Sequence, residues 1–318
     1  MEQLDEVLLE GTGPQLITLV HGWPDDLHLW DALVRDLLST GKYRTLRVTL
    51  PGFGTKKRKQ IVDPNFHQVA DLVASAVQHH QTHPAETSIL IVHDWGSVVG
   101  FNLQRNYNHL FSKMIVMDVG PTDLPGVGGL RGGVGVVAMG VYYQWLNSLA
   151  YWLWRYFPFI GEAVGDAIHH YQVRRFKQFP DGTAHPRANL SQSASAAYFY
   201  HYFQLNFWLD SFFPVSLRGG SPLAPAPADP LANPSVPTLF LYGSHRNSLG
   251  KTFKSWSNAL KKREDSDVVV LKGDHWFMLW SPEETSSAVL KWLELGKDGG
   301  KLGDKFKARL LPTAKSKL

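Results

Sequence analysis

Two short stretches carry side chains able to do chemistry together: Val92-His93-Asp94-Trp95-Gly96-Ser97 and Gly273-Asp274-His275-Trp276. The first offers a carboxylate with two small residues, Gly96 and Ser97, close behind it, and the second a late imidazole. An aspartate, with a reference pKa of about 3.9, is already an anion at neutral pH and needs no base before it attacks. A first step led by Asp94 therefore calls for an electrophilic carbon with a leaving oxygen or halide. His275 would then activate water for the second step. Ser97 is the rival nucleophile, but centring the motif on it puts Val99 at the second small position, which Gly96 fills for Asp94.

The elements around these residues must hold them in the open. Thr87 to Val92 is an apolar, β-branched run that reads as a buried parallel strand, and Gly96 to Tyr107 has helical spacing through Val99, Leu103 and Tyr107. A strand turning sharply into a helix with small residues at the apex is a nucleophile elbow, and Asp94 is its apex. Upstream, Leu16 to Val20 reads as a strand entering His21-Gly22-Trp23-Pro24, followed by helical spacing from Asp26 to Leu38. The backbone N–H groups of Trp23 and Trp95 are the expected oxyanion-hole donors, with a cis Trp23-Pro24 bond aiming the Trp23 amide inward.

His275 follows the strand Asp267 to Leu271 and precedes a terminal helix, Pro282 to Leu295. Its orienting acid is not in the usual place, a few residues past the strand Thr238 to Tyr242. That loop reads Gly243-Ser244-His245-Arg246-Asn247 and holds no carboxylate. The strand Lys113 to Met117 ends instead in Asp118, which can fix the histidine tautomer from its strand tip. Asp274 and Asp123 are the weaker alternatives.

Taken together, His-Gly-Trp-Pro, His-Asp-Trp-Gly, the Asp118 strand tip and the His275-Trp276 pair resemble the epoxide hydrolases of the α/β-hydrolase fold, relatives of haloalkane and fluoroacetate dehalogenases. The resemblance covers about residues 10 to 295. It implies an α/β-hydrolase core with a mostly parallel central sheet, built from residues 1–121 and 235–295, and an inserted helical cap at 122–234 that includes the return linker. Some members carry the acid after the earlier strand, as Asp118 does here. Val92 departs from the family, which usually has glycine there, and a β-branched side chain should crowd the turn.

The family uses two cap tyrosines to protonate the epoxide oxygen. One match is Tyr143, in a Tyr-Gln context; Tyr200 is chosen for the second from a cluster that also holds Tyr198 and Tyr202. A phenol with a pKa of about 10 keeps its proton at neutral pH. Trp145 and Trp276 are the expected substrate-lining residues. The expected reaction is epoxide to vicinal diol through an Asp94 ester hydrolysed by His275-activated water, on a small apolar epoxide. No cofactor or metal is called for. A haloalkane dehalogenase is the rival enzyme, and a silent ligand-binding hydrolase fold the rival of another class. Trp95 replaces the arginine expected of a fluoroacetate dehalogenase.

Composition adds bounds. The 318 residues carry a net charge of +4 and no cysteine. Residues 297–318 hold seven Lys/Arg against Asp298 and Asp304, so the basic character belongs to the tail and argues against nucleic acid as a partner. The segment from 296 reads as a basic C-terminal tail with an accessible end. Its last three residues, Ser316-Lys317-Leu318, match a peroxisomal address read by the import receptor, and a peroxisomal location is expected, with cytosol as a second site. Gly132 to Trp154 lacks charge, but its glycines and polar residues make it a buried cap lining rather than a membrane span.

Overall fold

The computed structural model describes residues 4–54, 66–121, 158–176, 234–245, 248–296 and 298–310, with Leu146, Leu149, Leu153, Tyr156 and Phe157 as single positions. Seven strands form one sheet: β1 (Glu6–Glu10), β2 (Gln15–Val20), β3 (Tyr43–Thr49), β4 (Ser88–His93), β5 (Phe111–Met117), β6 (Thr238–Gly243) and β7 (Asp267–Leu271). Their order is β1-β3-β2-β4-β5-β6-β7, with β1 antiparallel and every other neighbouring pair parallel.

Continuous apolar runs in β2, β4, β5, β6 and β7 follow from burial on both faces. Side chains alternate between two layers. Leu16, Val20, Leu90 and Val92 meet α2 (Phe66–His80), α3 (Trp95–Asn106) and α5 (Lys254–Lys262) through residues such as Val73, Val99 and Trp256. Ile17, Leu19, Ile89 and Ile91 face α1 (Asp31–Ser39) and α7 (Pro282–Leu293) through Leu33, Val289 and Trp292. The remaining described helices are α4 (Pro158–Phe176), α6 (Phe277–Trp280) and α8 (Asp304–Leu310). Among the described residues no helix is long and apolar enough to cross a membrane.

β3 contains Arg44 and Arg47 yet is buried throughout. Arg44 pairs with the buried Glu86 and reaches the Pro14 carbonyl at 3.0 Å, while Arg47 is held by Glu10 and by Asp31 at 2.6 Å. Buried charges survive only when paired in this way.

Part of the basic segment that begins at residue 296 packs against the core. Residues 298–310 are docked under the sheet: Leu302 and Leu310 join the α1/α7 layer, and Leu302 N–H donates to the Asp267 carboxylate at 2.7 Å. Lys307 Nζ reaches the same carboxylate at 2.6 Å. Basic composition hid this because lysines that fasten a segment look like lysines that solvate one. Ser316, Lys317 and Leu318 lie outside the described residues.

Candidate active site

The C-terminal ends of β2, β4, β5, β6 and β7 lie along one edge of the sheet, where open α/β sheets place their ligands. Asp94 stands at the tip of β4 with φ 53° and ψ −125°, a positive-φ conformation that side-chain-bearing residues rarely adopt. The turn closes because Gly96 adds no side chain: a Cβ there would lie 2.4 Å from the Val20 carbonyl oxygen. Gly22 has the same role on the facing loop, where a Cβ would come within 2.6 Å of Asp94 Oδ2.

Val92, expected to crowd this turn, is fully buried and accommodated. Gly100 supplies the room. A Cβ at Gly100 would lie 2.7 Å from Val92 Cγ1 and 3.0 Å from Met114 Cε, so volume added to the strand is matched by volume removed from the helix above it.

Both expected oxyanion donors face the Asp94 carboxylate. Trp23 N–H donates to Oδ2 at 2.8 Å after a cis Trp23-Pro24 bond, and the Trp95 amide donates as well. His275 Nε2 lies 3.5 Å from the other oxygen, Oδ1. His275 Nδ1 donates to Asp118 Oδ2 at 2.6 Å. The structure thus brings Asp94, Asp118 and His275 into one chain of contacts. Ser97 Oγ is buried in α3, has no hydrogen-bond partner among the described residues and does not reach the histidine chain.

Asp118 is wholly buried at the tip of β5, also at positive φ (63°). The loop after β6, empty of carboxylates, serves it as a cradle. Ser248 Oγ donates to its Oδ1, Leu249 N–H to Oδ2 at 2.9 Å and Gly250 N–H to Oδ1 at 3.2 Å. Sequence reading missed this cradle, and the only signal was a Ser-Leu-Gly just past the vacant acid position. Asp274 does not reach His275 Nδ1; its Oδ1 accepts the Trp276 N–H at 2.9 Å. Asp123 lies outside the described residues, as do Tyr143, Tyr200 and Trp145.

Charge at the site follows from burial and pairing. Burial alone would lower His275, but the hydrogen bond and charge of Asp118, then Asp94 and Asp274, raise it to about 9. Burial pushes Asp94 up, opposed by the His275 charge and the two amide bonds. His93, fully buried behind the elbow, is pushed down to about 3 by burial and by the His275 charge. It is therefore neutral, and its Nε2–H donates to the His275 carbonyl at 3.0 Å. Trp276, expected to line the substrate, is buried; its ring meets the His275 ring edge-on at 4.6 Å, and its indole N–H donates to Asp25 Oδ2 at 2.8 Å. Among the described residues no His/Cys/Asp/Glu group is arranged to hold a metal ion.

Comparison with known proteins bears on the fold and the family. A family model described as "Alpha/beta hydrolase family" matches residues 19–288, well over half of the chain. Epoxide hydrolase B of Mycobacterium tuberculosis is 27% identical over 89 residues, which are 28% of this chain and only 24% of that protein. Among solved structures, epoxide hydrolase VrEH1 from Vigna radiata superposes with a TM-score of 0.56 at 16% identity, covering 91% of this chain and 94% of that one. A thermophilic esterase from Thermogutta terrifontis gives 0.62 at 17% identity, covering 91% and 93%. Likeness at such identity speaks for the fold, which epoxide hydrolases and esterases share.

Proposed function

The chain belongs to the α/β-hydrolase family, and we propose that within it the protein is an epoxide hydrolase whose nucleophile is Asp94. One observation carries the reading: a carboxylate at the elbow apex, with an amide donor on one oxygen and the His275 imidazole 3.5 Å from the other. An esterase elbow would need a hydroxyl there, with the imidazole drawing off its proton.

In the first step Asp94 Oδ1 forms a bond to an epoxide carbon as the C–O bond of the ring breaks. The departing alkoxide is strongly basic and takes a proton from a phenol, the role assigned to Tyr143 and Tyr200. Esterification removes the Asp94 charge, one of the anions that hold the proton on His275. The proton His275 then gives up makes good the one the phenol donated, and the ring becomes a base. It takes a proton from water as the water oxygen attacks the ester carbonyl and the Trp23 and Trp95 amides hold the oxyanion; on collapse the ester C–O bond to the substrate breaks, the leaving alkoxide takes the proton of the added hydroxyl, and a vicinal diol and the Asp94 carboxylate result. Trp145 would line the site for a small apolar substrate.

The test is a covalent trap. His275→Phe, incubated with a chromogenic epoxide, should keep the first step and stall the second, so that mass spectrometry finds one epoxide mass on the peptide holding Asp94. An adduct on Ser97, or none with an epoxide that wild type turns over, overturns the assignment. Halide release from a bromoalkane without epoxide turnover would make the protein a dehalogenase, and neither activity would make it a binding protein.

A further inference from the structure

We infer that Asp25 and Trp276 are a positioning pair for the second half of the reaction, clamping the loop that carries the base to the loop that carries the Trp23 oxyanion donor. The inference rests on the ester-intermediate reading above and adds a division of labour between its two steps.

The two residues stand 251 positions apart and meet through a hydrogen bond from Trp276 Nε1 to Asp25 Oδ2 at 2.8 Å, with both residues buried. Each is joined tightly to a working group. Asp25 lies two residues past Trp23, whose N–H holds Asp94 Oδ2, and its own N–H closes the turn onto the Gly22 carbonyl at 3.0 Å. Trp276 follows His275 directly. Its backbone N–H is fixed by Asp274, and its ring packs edge-on against the imidazole. His93 in turn holds the His275 carbonyl at 3.0 Å and lies with its ring tilted 4.6 Å from the imidazole. The backbone of the base is therefore gripped by both His93 and Asp274, and the Asp25 bond ties that grip to the oxyanion loop.

A buried carboxylate is a costly way to join two loops if cohesion is all that is needed, since apolar pairs of similar volume usually serve stability as well or better. What the bond adds is direction. Attack on the epoxide needs Asp94 and the donors to the leaving oxygen. Hydrolysis of the ester needs more: the water on His275 Nε2 must line up with a carbonyl whose oxygen points at the Trp23 N–H, so the two loops must keep a fixed relative position. Misplacement by about 1 Å can slow a step on the order of a hundredfold. Loss of the clamp therefore falls on ester decay and spares ester formation.

Rapid-quench mass spectrometry of the Asp94 peptide reads the two steps separately. In Trp276→Phe and in Asp25→Ala, ester decay should slow about tenfold or more while ester formation stays near the wild-type rate. The double variant should be no slower than the worse single one, because each removes the same bond. Asp25→Asn, which keeps an acceptor oxygen, should restore decay and also guards against failure of Asp25→Ala to fold. Equal slowing of both steps, unchanged decay, or multiplying effects in the double variant would overturn the clamp. The control is His275→Phe: no adduct there removes the ester reading itself, whereas an adduct there with unchanged decay in the pair variants removes only the clamp.

Discussion

Two buried carboxylates sit at opposite edges of the sheet and use similar bonds for different ends. Asp118, at the outgoing tip of β5, accepts from Ser248, Leu249, Gly250 and His275. Asp267, the first residue of β7, accepts from the Val268 N–H at 2.8 Å, from Leu302 and from Lys307. Both are almost wholly shielded from solvent. The charged partner of Asp267 is an ammonium that fastens the docked segment 298–310. That of Asp118 is an imidazole facing a second carboxylate. A buried carboxylate ringed by donors is thus not by itself a sign of chemistry; the proton its partner can exchange, and the edge of the sheet it occupies, decide the matter.

The contrast is sharpest if each is removed. Asp118→Asn should lower kcat by about 10⁴ while the ester on Asp94 still forms, as for other triad acids, measured by turnover and trapped adduct in protein shown to be folded by circular dichroism. Near-normal turnover would place Asp118 with Asp267 among architectural groups. Asp267→Ala should instead lower unfolding free energy by about 3 kcal/mol, the scale for breaking a buried ion pair, with kcat of the folded fraction unchanged. Urea titration beside an activity assay checks both, and a dead but stable variant would break the distinction.

A third change probes the elbow's packing without touching a charge. Gly100→Ala drives a methyl toward Val92 Cγ1, and should cost about 1–3 kcal/mol as overpacking. Val92→Ala in the same chain should recover most of it in a double-mutant cycle, because the two side chains compete for one space.

The smallest effect is on pH. His275 is raised from the ordinary imidazole value to about 9 in the folded protein, so its charged pairing with Asp118 and Asp94 contributes stability that is full below about 6.5 and is lost as pH rises through about 9. A thermal midpoint that declines over that window in wild type and not in His275→Phe is the expected result.

Much of this layout was legible in the chain, and the illegible parts share a cause. Asp267 to Leu271 reads as a strand and is one, and Thr87 to Val92 is displaced by one residue from β4, because continuous apolar β-branched runs have few other uses. The strands β1 and β3 escape notice: Glu6 and Glu10 bracket one, and two arginines interrupt the other, each made tolerable only by an acid distant in sequence. The elbow and both amide donors are local and could be placed. The Ser248 cradle and the Asp25–Trp276 bond join residues 130 and 251 positions apart, and no local pattern records such pairings. Asp118 was reachable because its strand tip is local and the rival position after β6 is empty.

The cradle around Asp118 has a consequence that lone-pair counting makes plain. An ionised carboxylate offers four acceptor sites, and here four donors are present: Ser248 Oγ and Gly250 N–H on Oδ1, Leu249 N–H and His275 Nδ1 on Oδ2. Each site is taken, so the carboxyl plane cannot swing without losing a bond. Such an oxygen can only accept, which obliges Nδ1 to be the nitrogen that keeps its hydrogen. Every proton that His275 gains or releases must then pass through Nε2, the nitrogen turned toward Asp94, and whenever the ring is neutral it has no wrong tautomer to escape into.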